Sequence, residues 1–438
     1  MLQLKAYRGS IFHMVDNPIY RENPADAYQY WEDGILLVEN GKIKTVGPAA
    51  TILLELPAGV QVALYPDSMI MPGFVDIHIH FPQITTVACY GEQLLEWLQN
   101  YIFPGEAEYA DKALAQERAA VFLKELLRRG TTTASVYCSI AKDSAEALFE
   151  VAQRLNLRLL AGKVMMNRNG PEGMKLATPE SDYQDSKELI AKWHGKARLS
   201  YVVTPRFAPA CSEADLQAAS RLLKEYPGVY LQTHLCENLH EIAWVRELFP
   251  ERKSYLDVYD YYGLVGEKTL LGHSLHLDDE DFIRVKETGA VLCPCPPSNF
   301  FLGSGLFKFA KAKEYNVKVA LGTDLGAGNT FSMVRAMEEA YKMAQLQGYS
   351  LSPFEAFYLV TLGGARALSM EDKIGNFEVG KEADFIIMDL KSTPFLEFRM
   401  QFTKTLSDKL FVQMMLSDDR AIRETYVYGA LVHNRDDR

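Results

Sequence analysis

From about residue 70 to residue 328, short β-branched runs alternate with stretches whose apolar positions recur every three or four residues. Eight runs read as strands: Ile70 to Ile79, Thr131 to Ser139, Arg158 to Met166, Leu199 to Phe207, Val229 to Leu235, Thr269 to His276, Ala290 to Cys295 and Val317 to Thr323. The segments between them carry helical patterning. Ala119, Phe122, Leu123, Leu126 and Leu127 form one apolar stripe, and Gly130 stands where a C-terminal cap belongs. Another helix is expected to begin at Ser212, with Asp215 three residues on as an approximate capping box. Eight strands alternating with helices predict an α/β fold, a parallel (β/α)8 TIM-type barrel.

The two ends of the chain read differently. Gly34-Ile-Leu-Leu-Val-Glu-Asn-Gly41 looks like half of a hairpin closed by the two-residue turn signal Asn40-Gly41. Asp384 to Met388 and Thr425 to Val432 are also β-like, and neither end is long enough for a core of its own. The expectation is a small β-sandwich domain split between residues 1–69 and 375–438, holding a catalytic barrel at 70–374.

Composition narrows the partners. Forty-six lysines and arginines against 57 aspartates and glutamates give a formal charge of −11, unsuited to a surface that needs many phosphate contacts, so no nucleic acid partner is expected. The substrate should be small and not strongly anionic. The first residues lack an apolar stretch behind a basic cluster, and no segment reaches the roughly 18 apolar residues of a membrane span. A cytoplasmic protein without a membrane partner is the expectation. The six cysteines are sparse and form no paired Cys-x-x-Cys framework, so they read as reduced thiols.

Candidate chemistry gathers at the carboxyl ends of the expected strands, the face where such barrels assemble their active sites. His78 and His80 lie two apart on the first strand and so point the same way. Alone they could be polar barrel residues satisfied by hydrogen bonds. His234 closes the fifth strand, His273 the sixth and Asp324 the eighth, so four of the nine histidines share that face with a carboxylate. Nitrogen and oxygen donors without thiolates suit a borderline metal such as zinc, in a site with an open position for water. Glu237, three residues past His234, is placed over such a metal as a general acid and base. Gln83, Arg206 and Phe207 could hold a planar polar ligand, although spacing alone leaves a supporting or surface position equally open.

Other features read as decoys. Cys293 and Cys295 lack a second cysteine pair, Gly326-Ala-Gly328 lacks the third glycine of a dinucleotide loop, and Gly266-Glu-Lys-Thr269 lacks the glycine-lysine step of a phosphate loop. His276 reads as a loop or packing residue, and His13, His194, His240 and His433 have no partners in view.

Pro72 to His80, Gly91 to Leu98, Thr204 to Pro209, Thr233 to Asn238, Gly322 to Gly328 and Gly375 to Asp384 together resemble the metal-dependent amidohydrolases over nearly the whole chain. The segments around Trp97, Arg206 and Glu237 narrow the resemblance to members that hydrolyse guanine to xanthine and ammonia. It implies one zinc ion per subunit, with iron as the other candidate, held by His78, His80, His234 and Asp324. It implies that His273 and Asp324 assist deprotonation of water, that Glu237 shuttles the proton, and that Gln83, Arg206, Phe207, His234 and Glu237 surround guanine. A homodimer is implied as well. Two-metal relatives carry a bridging lysine on the fourth strand; Leu199 to Phe207 has none, and Lys163 falls on the third, which favours a single metal. Ile77 replaces a threonine common in relatives, and its side chain should point away from the ligand face. The other zinc deaminase architecture needs His-x-Glu, absent from this chain. The rival expectations are an aminohydrolase for another heterocycle, such as 8-oxoguanine or a pterin, and a barrel scaffold without catalysis.

Overall fold

The computed structural model describes residues 4–90, 93–172 and 174–437; Gly91 and Glu92 of the resembling segments lie outside them. The chain opens with four strands, β1 (Leu4–Met14), β2 (Tyr28–Glu39), β3 (Lys42–Pro48) and β4 (Val62–Pro72). The middle of the chain contributes β5 (Phe74–His80), β6 (Thr131–Tyr137), β7 (Arg158–Gly162), β8 (Val164–Met165), β9 (Leu199–Pro205), β10 (Tyr230–Leu235), β11 (Thr269–His273), β12 (Val291–Cys293) and β13 (Lys318–Val319). Three more, β14 (Phe385–Asp389), β15 (Ile422–Val427) and β16 (Ala430–Asn434), follow near the end.

The middle strands form a parallel sheet in the order β5-β6-β7-β9-β10-β11-β12-β13, with β8 paired to β9. Backbone bonds from Ile77 N–H to Leu321 C=O (3.3 Å) and from Asp324 N–H to His78 C=O (2.8 Å) return the segment after β13 to β5. The arrangement is consistent with a TIM-type barrel, and all eight expected strand regions take part. Helices cover the outside. Lys112–Arg128 buries Ala119, Phe122, Leu123, Leu126 and Leu127, and Gly130 follows it with φ +81°. Ser212 caps Glu213–Glu225 by accepting from the Asp215 N–H. No helix is long and apolar enough to cross a membrane among the described residues.

Two expected strands are divided. The run from Ile70 to Ile79 breaks at Gly73, because Met69 to Pro72 pair with β14 in the other sheet while Phe74 to His80 enter the barrel. The crossing is tight: a Cβ on Gly73 would lie 2.2 Å from Thr132 Oγ1. The third run breaks at Lys163, whose ammonium leaves the strand line to pair with buried Asp182 on helix Pro179–Trp193. That lysine therefore faces the helical layer.

The chain ends meet in one seven-stranded mixed sheet of order β16-β15-β14-β4-β1-β2-β3, a single sheet where a sandwich was expected. Asn40 and Gly41 turn β2 into β3 with φ of 52° and 80°, the left-handed pair that a tight hairpin requires. Alternation along β2 sends Leu36 and Val38 into a core with Tyr7, Phe385 and Tyr426, and Ile35 and Leu37 into another with Ala49 and Ile52. Buried Arg158 and Arg198 pair with Glu382, and Arg198 also with Asp384, tying this sheet to the barrel.

Candidate active site

The carboxyl ends of β5, β10, β11 and the segment after β13 bring His78, His80, His234, His273 and Asp324 into one buried cluster. Period-2 geometry explains why His78 and His80 arrive together. Asp76, on the same face of β5, accepts from the backbone N–H of His78 (3.1 Å) and of Thr323 (3.2 Å) and from the Thr323 hydroxyl (2.5 Å), pinning β5 to the turn that carries Asp324. Small residues make room: a Cβ on Gly272 would sit 2.5 Å from His78 Cε1. Cys236, His273, Ser274 and Asp324 all hold left-handed φ between 48° and 62°, the local strain that surrounding structure must compensate at a functional site. Gly326 and Gly328 serve the tight turn beyond Asp324, where the Gly328 N–H returns to the Asp324 C=O at 2.6 Å.

Distances within the cluster suit one small cation. His80 Nε2 and His234 Nε2 face each other at 3.2 Å, and Asp324 Oδ1 lies 3.1 Å from His80 Nε2 and 3.4 Å from His78 Nε2. Two ligands on a tetrahedral zinc at about 2.0–2.1 Å would be about 3.3 Å apart. His234 Nδ1 contacts the Arg206 C=O at 2.6 Å, which assigns its proton to Nδ1 and leaves the Nε2 lone pair for a metal. Burial lowers the pKa of His80 and His234, favouring the neutral rings that metal ligation would need. Burial would raise Asp324, but the adjacent His78 and His80 rings hold it well below the usual carboxylate range.

His273 is equally close: His78, His234, His273 and Asp324 can each bring a donor atom within 4.8 Å of the others. Its hydrogen bonds assign it a different part. Asn299 Oδ1 accepts from the Cys295 N–H (3.2 Å), so its amide nitrogen faces His273 Nδ1 at 2.9 Å and donates to it. The neutral ring then carries its proton on Nε2, 3.4 Å from Glu237 Oε2 and 3.8 Å from Asp324 Oδ2. A ring in that tautomer is a donor and has no Nε2 lone pair for a metal. Burial depresses its pKa to about 3.

Glu237 lies over the cluster, buried, with Oε1 accepting from the Ser304 hydroxyl at 3.3 Å. Burial first, then the carboxylates of Asp324 and Glu241, push its pKa well above the normal range. His80, Gln83, Trp97, Arg206, Phe207, His234, Glu237 and Asp324 line one pocket, so the expected ligand-holding residues share it with the metal candidates.

Three residues escaped the sequence reading. Glu106 accepts from Gln83 Nε2 (2.9 Å) and Arg206 Nη1 (2.6 Å); it is 23 positions from one and 100 from the other, and nothing in the local pattern marks it. Asn299 comes from the short helix Pro296–Phe301. Tyr137 ends β6 with its ring stacked on His80, centroids 4.6 Å apart; its parity with Ser135, which faces the barrel interior toward Gln232, is a signal that could have found it. The decoy cysteines do approach His78, but burial pushes both thiols up in pKa, and the Cys295 thiol donates to the Cys293 C=O at 3.4 Å. His276 bonds the Ser304 C=O at 2.9 Å, and His13 packs against Trp31 and Phe377.

The chain belongs to the amidohydrolase family, whose model matches residues 69–432. Within that family the chain is 50% identical over 435 residues to the guanine deaminase of Escherichia coli (strain K12), covering 99% of this chain and 98% of that protein. A solved structure of E. coli guanine deaminase matches it with TM-score 0.96 at 49% identity, over 99% of this chain and 100% of the other. A guanine deaminase from C. acetobutylicum, solved with guanine in its active site, matches with TM-score 0.87 at 30% identity over 98% and 100%.

Proposed function

We propose that the protein is a metal-dependent guanine deaminase, hydrolysing guanine to xanthine and ammonia. The observation that carries this reading is the placement of the buried His78, His80, His234 and Asp324 cluster directly beside a pocket walled by Gln83, Arg206 and Phe207. The relatives named guanine deaminase support the same substrate. The four cluster residues would hold one zinc ion or, alternatively, iron. Bound there, such an ion would make water a competent nucleophile at neutral pH.

The chain's own groups do the remaining work. Gln83 and Arg206 hold the base in plane, and Phe207 and Trp97 close over it and exclude water. Glu237 takes the proton of the attacking water and returns it to the 2-amino group, which departs as ammonia. His273 enters as a donor: with the Asn299 bond fixing its tautomer, its Nε2–H steadies negative charge gathering near Glu237 and Asp324. This narrows the expected part in water deprotonation to Glu237 and Asp324.

We further infer a division into a catalytic barrel at 70–374 and a β-sandwich domain from 1–69 and 375–438, supported by the pairing of the two ends in one sheet. The homodimer rests on the family resemblance, and sedimentation reads the oligomer directly. The activity is tested by following guanine loss and xanthine gain by ultraviolet absorbance, with 8-oxoguanine and pterin in parallel. Turnover of either rival without turnover of guanine overturns the reading.

A further inference from the structure

We infer that Glu106 sets the hydrogen-bond polarity of the pocket and so selects a ring edge presenting N–H beside C=O. The inference rests on the proposed guanine deaminase reading and adds a specificity-determining residue to it. Glu106 lies on the short helix Phe103–Ala107 and is buried, yet it spends both carboxylate oxygens on pocket residues: Oε1 accepts from Gln83 Nε2 at 2.9 Å and Oε2 from Arg206 Nη1 at 2.6 Å.

Set against the Arg206 guanidinium, the Glu106 carboxylate accepts at both oxygens and so faces the nitrogen end of the Gln83 amide. The carbonyl end is thereby turned away. Gln83 Oε1 is buried without a hydrogen-bond partner among the described residues and lies on the pocket wall against the turn after Asp324, where a Cβ on Gly326 would be 1.8 Å from it. A buried acceptor left unpaired is unfavourable until a ligand donor reaches it. Arg206 commits Nη1 to Glu106 and rests over the Phe103 ring at 4.9 Å, and among the described residues its Nε and Nη2 have no hydrogen-bond acceptor, which leaves them as donors for a ligand.

The wall therefore shows an acceptor beside donors. Its complement is a lactam edge, a ring N–H next to a carbonyl, as at N1 and C6 of guanine. An amidine edge, a bare ring nitrogen next to an amino group, has the opposite polarity at both points and meets repulsion at each. Glu106 touches no ligand in this account; it acts through Gln83 and Arg206 and is a positioning residue.

Glu106→Gln tests the claim. Its amide can turn a nitrogen toward Gln83, letting the Gln83 amide reverse and present its own nitrogen to the pocket. Guanine is compared with 2,6-diaminopurine, which carries the same 2-amino leaving group beside an amidine edge. The expected result is a fall of about 10- to 100-fold in the guanine preference, measured as the ratio of kcat/KM values, arising from KM for guanine at unchanged metal content. A purely structural role would lower both substrates together and leave the ratio unmoved, and that outcome overturns the inference. Should E106Q not accumulate as folded protein, Glu106→Asp replaces it: still an acceptor but one methylene short, it should raise KM for guanine more than tenfold while keeping the preference, and a wild-type KM overturns the inference. Calorimetric binding of hypoxanthine, a lactam without the 2-amino group, reads the wall independently of turnover. Weaker binding to E106Q supports the inference, and equal binding to both proteins overturns it even if guanine is no substrate, whereas a wild-type enzyme inactive on guanine defeats only the proposed function.

Discussion

Replacing Glu237 by glutamine isolates the proton-transfer step, because the structure gives the new side chain a place to sit. The carboxylate it replaces has Oε1 at 3.3 Å from the Ser304 hydroxyl and Oε2 at 3.4 Å from His273 Nε2. Glutamine can put its oxygen toward the His273 Nε2–H and its nitrogen toward Ser304, whose hydroxyl rotates from donor to acceptor. Neither contact is left unsatisfied, so stability should change by less than about 1 kcal/mol. Glu237 shares no short contact with His78, His80 or His234, and metal content should stay at the wild-type value. What disappears is a group able to take and return a proton, and that function is worth about 10²- to 10⁴-fold, or roughly 3–5 kcal/mol of barrier. The assay is steady-state guanine turnover on protein whose metal content and thermal midpoint have been measured on the same sample. A kcat within tenfold of wild type at full metal occupancy would refute the assignment.

Four other substitutions separate further parts of the account. His80→Ala should lose bound metal while His273→Gln keeps it and loses turnover; elemental analysis of both proteins decides between His80 and His273 as the fourth ligand, and the reverse pattern contradicts the tautomer argument. Asn299→Asp places an acceptor against His273 Nδ1, draws the proton away from Nε2, and should lower kcat by roughly 10²- to 10⁴-fold with metal retained; an unchanged kcat removes Asn299 from the site. Asp215, next to the Lys163–Asp182 pair, is raised to about 7 by burial and then by the Asp182 carboxylate. A carboxyl raised in the folded state contributes stability that is present below its unfolded pKa, near 4, and lost as pH climbs to about 7. Asp215→Asn does not titrate, so its melting temperature should gain on wild type across that interval and hold the gain above it; a difference independent of pH would show that Asp215 is not the titrating group.

Much of the site was legible because it follows strand periodicity. His78, His80, His234, His273 and Asp324 each end a run of alternating or buried β residues, and the fold needs such runs to be locally recognisable. Glu237 was legible only by its nearness to His234. Glu106 and Asn299 were not, since each acts on side chains that the sequence leaves far away, and helices of five and six residues are too short to carry a periodicity that would mark them. The break at Gly73 was hidden for a related reason: Ile70 and Met71 continue the β pattern without interruption, and only the approach of Thr132 and the pairing with β14 show that they belong to another sheet. The pairing of the chain ends was readable from their β character, whereas their union in one sheet of seven strands depends on partners more than 300 residues apart.

The central claim is that this chain's histidine and aspartate cluster holds a metal and that guanine is deaminated beside it. The most direct measurement removes the metal with a chelator, confirms its loss by elemental analysis, and follows xanthine and ammonia from guanine before removal, after removal and after stepwise return of zinc or iron. The account predicts xanthine and ammonia in equal amounts, their loss with the metal, and recovery that reaches its full value at one ion per chain. Undiminished xanthine formation by the metal-free protein, or none by the fully loaded protein, would contradict it.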